Sequence, residues 1–166
     1  NVNRVHRSPL RTEADELTYL LHIIIRYELE RALIEGNIEV ADIPHLWKEK
    51  YQAYLNVRPS NDGEGVLQDI HWAAGYMGYF PTYFVANLMS AQIASALKKD
   101  CGSLDDLVSR GDFAEINGWL REHIFQHGAR YTTRELLKRA TGETLKFDYY
   151  KDYLREKFSV IYGVLL

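Results

Sequence analysis

Two adjoining stretches in the middle of the chain concentrate side chains that donate or accept hydrogen bonds. The first is G-V-L-Q-D-I-H-W, residues 65–72, and the second is G-Y-M-G-Y-F-P-T-Y, residues 75–83. No simple helical or strand period explains this density of polar and aromatic residues, so it indicates a site. Four of these side chains could donate hydrogen bonds to an oxyanion that develops during a reaction: His71, Tyr76, Tyr79 and Tyr83.

A second set of polar residues lies near the N-terminus. Steps of three and four place its members on one stripe of a predicted helix: Arg11, Asp15, Tyr19, His22 and Arg26. Arg11 or Arg26 could bind a carboxylate in a two-pronged contact. A solvated face with local ion pairs, or a buried polar network that joins helices, would explain the same residues. On residue chemistry alone, the site and the network both remain open.

Other reactive residues give weaker signals. His123 and His127 are four residues apart on a predicted helix, where both imidazoles could reach one metal ion. The residue after His123 is Ile124, so the glutamate of the zinc-protease signature H-E-x-x-H is missing. Cys101 has no evident histidine partner, and the sequence contains no G-x-S-x-G elbow and no phosphate-binding glycine loop.

The composition argues against several classes of protein. Of the 166 residues, 46% are hydrophobic and 26% are charged, which is typical of a globular domain and not of a disordered chain. The formal net charge of −3 gives no support for nucleic-acid binding. No apolar run approaches the ~20 residues that span a bilayer. The single cysteine permits no internal disulfide, which fits a reducing compartment and favours a cytoplasmic location.

Helices must position these residues, since no convincing strand or repeat is present in the sequence. Apolar spacing, capping residues and terminal glycines predict helices over residues 10–35, 41–55, 82–99, 103–110, 112–127, 132–142 and 148–163. Small residues along the third helix predict that it is buried. The sequence therefore predicts an all-α fold, an irregular helical array in a single domain over residues 1–166.

Two motifs, taken in order, add a resemblance. Residues 11–15, R-T-E-A-D, match R-x-x-A-D, and residues 65–72 match G-x-x-Q-D-x-H-W. Both resemble motifs of the carboxypeptidase Taq family of metallocarboxypeptidases, and I-P-H-L-W, G-Y-F-P-T-Y and Y-L-R-E-K-F are similar as well. The resemblance covers nearly the whole chain and implies part of a larger all-helical, zincin-like metallopeptidase.

One feature of that family is missing from the sequence. The family's zinc site is H-E-x-x-H with a downstream glutamate, preceded by H-P-F and D-x-R-x-T, and none of these motifs occurs here. The resemblance therefore implies a C-terminal portion, with the metal ligands and general base upstream of Asn1. It implies zinc or cobalt in the full-length family and no cofactor for this chain alone. The expected partners are a peptide C-terminus, the upstream half of the enzyme and a second copy in a homodimer.

The activity implied by the resemblance is metal-assisted release of single residues from peptide C-termini, with this chain inactive by itself. The motif arginine, Arg11, is the candidate that binds the substrate carboxylate, and Arg26 is a second candidate. Gln68 and Asp69 are assigned to the same substrate-binding side, where they would position His71 or shape the loop.

The resemblance implies catalytic roles for residues of the two central stretches, 65–72 and 75–83. His71 would bind the substrate backbone or orient a metal ligand through its second ring nitrogen. Tyr79, or else Tyr76 or Tyr83, would stabilise the oxyanion. Two other interpretations remain open: a non-catalytic all-helical interaction module, and a small metal-binding protein that uses the two histidines near residue 125.

Overall fold

The computed structural model describes residues 3–164 as helices joined by turns. The α-helices in this range are α1 (Glu16–Ile34), α2 (Ile43–Leu55), α3 (Phe80–Cys101), α4 (Leu104–Arg110), α5 (Phe113–His123), α6 (Thr133–Thr141) and α7 (Asp148–Tyr162). Short 3-10 helices occupy Arg11–Glu13, Val40–Asp42 and Phe125–His127. Residues 3–164 contain no strand, and the predicted all-α class is confirmed.

The chain divides into two compact units, one ending at Val85 and the other starting at Ala86. In the first unit, α1 packs against α2 around a cluster of buried side chains: Ile25, Leu29, Trp47, Tyr51 and Leu55. Residues 56–79 form a long turn-rich segment, from which Val66 and Trp72 pack against this cluster. Burial of these two side chains holds the segment that contains the predicted site.

The start of α1 differs from the prediction. Oδ1 of Asp15 accepts hydrogen bonds from the backbone N–H groups of Leu17 and Thr18, at 2.9 and 3.0 Å, and the Asp15 backbone is extended, with ψ 167°. Asp15 is therefore the N-cap, and α1 begins only at Glu16. The predicted helix from residue 10 is wrong at this end, because Arg11 lies in a separate 3-10 helix and shares no helical stripe with Asp15.

The second unit contains α4 to α7. Its buried cluster consists of Leu97, Trp119 and Ala140. The predicted caps are confirmed at two of its helices. Ser103 accepts a hydrogen bond from the N–H of Asp106 at the start of α4, and Thr132 forms a reciprocal capping box with Glu135 at the start of α6.

The predicted helix over residues 112–127 is wrong at its end. α5 stops at His123, because Ile124 has a non-helical backbone with φ −125° and ψ −65°. The 3-10 helix that includes His127 follows this break. The two histidines therefore do not lie four residues apart on one α-helix.

The third helix is only partly buried. Its buried residues are Phe80, Leu88, Gln92 and Leu97, whereas Ala86, Ser90 and Ser95 are exposed. The prediction of a buried α3 is therefore wrong for these three small residues, whereas Ala91, Ala94 and Ala96 are half-buried. In the described part of the chain, none of the helices is long and apolar enough to cross a membrane.

Candidate functional site

An ion cluster of Arg11, Arg26 and Asp69 lies at the centre of the predicted site. Oδ1 of Asp69 accepts hydrogen bonds from Nε and Nη2 of Arg11, at 2.9 and 2.7 Å, and Oδ2 accepts one from Nε of Arg26 at 2.6 Å. The side chains are 13%, 0% and 9% exposed for Arg11, Arg26 and Asp69. One carboxylate thus joins the R-x-x-A-D motif to α1 through charge-assisted hydrogen bonds.

The cluster carries a net positive charge. Burial raises the pKa of Asp69, but the guanidinium groups of Arg26 and Arg11 outweigh burial, so this pKa lies below its ordinary value of 3.8. Burial lowers the pKa of Arg11, but the hydrogen bond to Asp69, the charge of Asp69 and the contact with Tyr19 together outweigh burial, so this pKa is raised above its ordinary value. Two guanidinium cations and one carboxylate leave a net charge of +1 at neutral pH.

Gln68 connects three parts of the first unit. Its Oε1 accepts hydrogen bonds from the backbone N–H of Arg11 at 2.8 Å and from Nη2 of Arg26 at 2.9 Å. Its Nε2 donates to the backbone oxygens of Pro9 and Glu64, at 3.0 and 2.7 Å. With four hydrogen bonds formed, the Gln68 side chain fixes the position of Arg11 relative to the segment after α2.

Arg26 is fully buried, and each of its three side-chain nitrogens donates a hydrogen bond inside the unit. Besides Asp69 and Gln68, it donates from Nη1 to the backbone oxygen of His22 at 2.8 Å and to the hydroxyl of Tyr51 at 3.0 Å. Its guanidinium also lies 4.6 Å from the centre of the Trp47 ring. Full burial and these internal hydrogen bonds support a positioning role for Arg26 rather than direct contact with a substrate.

His71 lies between the ion cluster and the tyrosines. Its Nε2 is 3.2 Å from the hydroxyl of Tyr83, and its ring packs on Phe80 with centroids 4.5 Å apart. Its Nδ1 is buried, has no hydrogen-bond partner among residues 3–164, and lies 3.9 Å from Oδ1 of Asp69. The imidazole is therefore placed to orient Tyr83.

Two tyrosines of the second stretch are open to solvent. Tyr79 is 45% exposed and Tyr76 is 58% exposed. Tyr79 contacts Tyr83 edge-to-face at 5.4 Å, and its ring centroid lies 5.8 Å from that of His71. The structure therefore brings Arg11 and the three tyrosines together around His71. Tyr76 is at the outer end, and its ring centroid lies 6.0 Å from that of Tyr79.

Sequence reasoning missed two polar residues that support this site. In the sequence, Tyr51 could be explained simply as part of the apolar face of α2. Its hydroxyl accepts a hydrogen bond from Nη1 of Arg26 and lies 3.0 Å from Nδ1 of His22. Glu30 is 2% exposed, and its Oε1 accepts a hydrogen bond from Nε1 of Trp72 at 2.6 Å. Spacing could have found Glu30, since it continues the His22–Arg26 stripe by one more step of four.

The described residues do not form a metal site. No group of three or more His, Cys, Asp or Glu side chains in residues 3–164 is placed to hold an ion. Nδ1 of His123 donates to the backbone oxygen of Trp119 at 2.9 Å, and the two rings stack with centroids 4.3 Å apart. The ring of His127 instead packs against Tyr131. The described part of this chain therefore does not fit the metal that its family resemblance implies.

Comparison with known proteins identifies the family. The model of the Carboxypeptidase Taq (M32) metallopeptidase family matches residues 1–158. The chain belongs to the carboxypeptidase Taq family. The family membership that the two motifs predicted is thus confirmed.

Similar proteins of this family are about three times as long as the chain. Carboxypeptidase 1 of Bacillus subtilis is 46% identical over 161 residues, which are 97% of this chain and 32% of that protein. The structure of the M32 carboxypeptidase of Deinococcus radiodurans is 44% identical, with a TM-score of 0.95, and the match covers 98% of this chain and 33% of that one. Trypanosoma cruzi metallocarboxypeptidase 1 is 43% identical, with a TM-score of 0.92 and 95% and 32% covered. The chain thus spans about a third of the length of these relatives.

Proposed function

We propose that this chain is the substrate-binding C-terminal portion of a metal-dependent carboxypeptidase that releases single residues from peptide C-termini. The chain is inactive without the metal-binding portion that lies upstream in the full-length enzyme. Family membership supports the reaction class. The absence of a metal-binding group from residues 3–164 supports the assignment of metal binding to another portion of the enzyme. No catalytic step is assigned to a metal in this chain.

The net charge of the ion cluster carries the proposal. An exopeptidase of this type must recognise a free carboxylate, and a peptide carboxylate would neutralise the +1 charge of the two arginines and Asp69. Contacts with Asp69 and Tyr19 use three of the five N–H donors of Arg11, the Tyr19 contact at 3.4 Å. The remaining two donors, on Nη1 and Nη2, have no partner in the described part of the chain and are available to a carboxylate.

The tyrosines supply the second part of the proposed role. The exposed hydroxyl of Tyr79 donates to the oxyanion of the attacked carbonyl, and Tyr76 is the alternative donor. His71 orients the Tyr83 hydroxyl beside them. Gln68 and Asp69 hold Arg11 in place, and Arg26 acts through Asp69.

The proposal includes the partners of the whole enzyme. Zinc or cobalt belongs to the other portion, and the active form is a homodimer of the full-length protein. A cytoplasmic location is proposed as well, since the single cysteine, Cys101, suits a reducing compartment.

Replacing Arg11 tests the carboxylate role. In a mixture of this chain with the remaining portion of the Bacillus subtilis enzyme, Arg11→Ala raises KM for a peptide with a free C-terminus by about 10- to 100-fold, because a charge-assisted contact is lost. Arg11→Lys retains the charge and gives a smaller increase. Steady-state kinetics measures both constants.

The matched control is Arg31→Ala, which removes an exposed arginine that forms an ion pair with Glu35. This variant leaves KM unchanged. An unchanged KM for Arg11→Ala, or an equal increase for both variants, contradicts the proposed role of Arg11.

A further inference from the structure

Glu30 is a buried carboxylate next to the proposed site that the substrate-binding role does not use. It is 2% exposed and lies on α1, one helical step of four beyond Arg26. A buried carboxylate is costly unless hydrogen bonds stabilise it. The groups that Glu30 binds therefore indicate what the residue does.

Both hydrogen bonds that the Glu30 side chain makes with the described residues go to one short segment. Its Oε1 accepts from the indole Nε1 of Trp72 at 2.6 Å and from the backbone N–H of Gly78 at 3.1 Å. Trp72 and Gly78 are the two ends of residues 72–78. Gly78 has a φ of +77°, a conformation that favours glycine, so a fixed turn precedes Tyr79.

Within this segment, the other backbone hydrogen bonds are local. The N–H groups of Ala74, Gly75 and Tyr76 donate to the oxygens of Ile70, Trp72 and His71. These bonds shape the turn, whereas the Glu30 carboxylate attaches both of its ends to α1. His71 directly precedes one attached residue, and Tyr79 directly follows the other.

We propose that Glu30 is a positioning residue that sets the distance between His71 and Tyr79 by holding Trp72 and Gly78 on a single carboxylate oxygen. This inference deepens the proposed function, and its catalytic consequence rests on the role assigned to Tyr79. The geometric part is independent of that role, because it concerns only the conformation of residues 71–79.

NMR spectra of the whole 166-residue chain test the geometry. The chain has three tryptophans, so the indole N–H region contains three signals, and Trp119 provides an internal control. Nε1 of Trp119 donates to Asp100 at 2.8 Å, which is a matched carboxylate–indole pair in the second unit. The variants are Glu30→Leu, Glu30→Gln and the control Asp100→Asn.

Glu30→Leu removes the acceptor and shifts the signals of the Trp72 indole and of the His71 and Tyr79 rings, while the Trp119 signal stays in place. Asp100→Asn shifts the Trp119 signal and leaves the signals of the Trp72 indole and of the His71 and Tyr79 rings unchanged. Glu30→Gln retains a neutral oxygen at the same position, so the His71 and Tyr79 signals stay near their original values. A Glu30→Leu variant that shifts only the Trp72 indole signal overturns the proposal.

Amide exchange decides the question if Glu30→Leu does not fold. A neutral acceptor binds more weakly than a carboxylate, so the Gly78 amide of Glu30→Gln exchanges with solvent about fivefold faster than in the unmodified chain. An unchanged Gly78 exchange rate overturns the proposal.

Kinetics separates this inference from the proposed function. In the mixture with the remaining portion of the Bacillus subtilis enzyme, Glu30→Leu lowers kcat about 10- to 100-fold while KM changes little, because the oxyanion donor is displaced. Tyr79→Phe lowers kcat similarly, and the double variant adds nothing further. Full kcat in Tyr79→Phe contradicts the oxyanion role of Tyr79 in the proposed function and leaves the spectroscopic result intact. Full kcat in Glu30→Leu, with a reduced kcat in Tyr79→Phe, overturns the role of Glu30 alone.

Discussion

Asp69 is the residue on which the position of both arginines depends. Its carboxylate is 9% exposed and binds two guanidinium groups, so its loss leaves two cations in a largely buried place without a counter-charge. Removing one partner of a buried pair typically costs about 3–5 kcal/mol. We expect Asp69→Asn to destabilise the chain by about 3 kcal/mol at pH 7, measured by urea unfolding.

The pH dependence of this loss follows from the pKa of Asp69, which Arg26 and Arg11 hold below its ordinary value. A carboxylate with a lowered pKa stabilises the folded chain above the ordinary value, and the stabilisation is lost as pH falls through the folded-state pKa. The difference between Asp69→Asn and the unmodified chain therefore shrinks below about pH 4. A difference that stays constant down to pH 2.5 contradicts this account. The exposed Asp105→Asn serves as the control.

At the residue scale, the motifs named side chains that the structure brings together, but they did not show how these side chains share their hydrogen bonds. Arg11, Gln68, Asp69 and His71 lie in one cluster. The motifs did not show that each nitrogen of the Arg26 guanidinium donates a hydrogen bond to a neighbouring group, because some of these partners, such as Tyr51, come from distant parts of the chain. Such long-range partners leave no local pattern in a sequence.

At the scale of elements, the contact between α1 and α2 includes a buried histidine. His22 is 0% exposed, its ring meets Tyr51 edge-to-face at 5.3 Å, and burial, aided by the positive charge of Arg26, lowers its pKa from 6.5 to about 4. The folded chain therefore holds His22 neutral, whereas the unfolded chain binds a proton below pH 6.5. Stability must fall as the pH decreases from 6.5 to about 4.

His22→Gln tests this link between the two helices. The gap between the folded and unfolded pKa corresponds to a loss of up to about 3 kcal/mol across that pH range, and the variant lacks this loss. Urea unfolding at several pH values measures it. His45→Gln, which replaces a histidine with a 72% exposed side chain, should behave like the unmodified chain. Equal pH profiles for the His22 variant and the unmodified chain would show that His22 titrates normally.

Helix ends were predictable where a local cap decides them. Ser103 and Thr132 with Glu135 start α4 and α6 as their sequence patterns indicate. The start of α1 was mispredicted because Asp15 was assigned to a helical stripe. Asp15 is instead the N-cap, whose backbone is extended and lies outside the helix. No glycine or proline lies at the break at Ile124. The helix predicted from periodicity alone therefore extends beyond the observed end of α5.

At the scale of the molecule, the two units contribute differently to the proposed function. The first unit contains every residue assigned to substrate binding or to the oxyanion, from Arg11 to Tyr83. Large apolar side chains are exposed in both units, such as Leu67, Ile70 and Val160 at 72%, 76% and 81%. Apolar exposure of this kind is consistent with a chain that spans a third of the length of its relatives.

The most direct test of the central claim is release of a C-terminal amino acid from a short peptide in the presence of zinc or cobalt. The assay uses this chain alone, the remaining portion of the Bacillus subtilis enzyme alone, and the two combined. The control combines that portion with the matching third of the Bacillus subtilis enzyme. We predict release only in the two mixtures. Release of the amino acid by this chain alone would contradict the proposal that the chain is a substrate-binding portion. The absence of release from its mixture, when the control mixture is active, would contradict it as well.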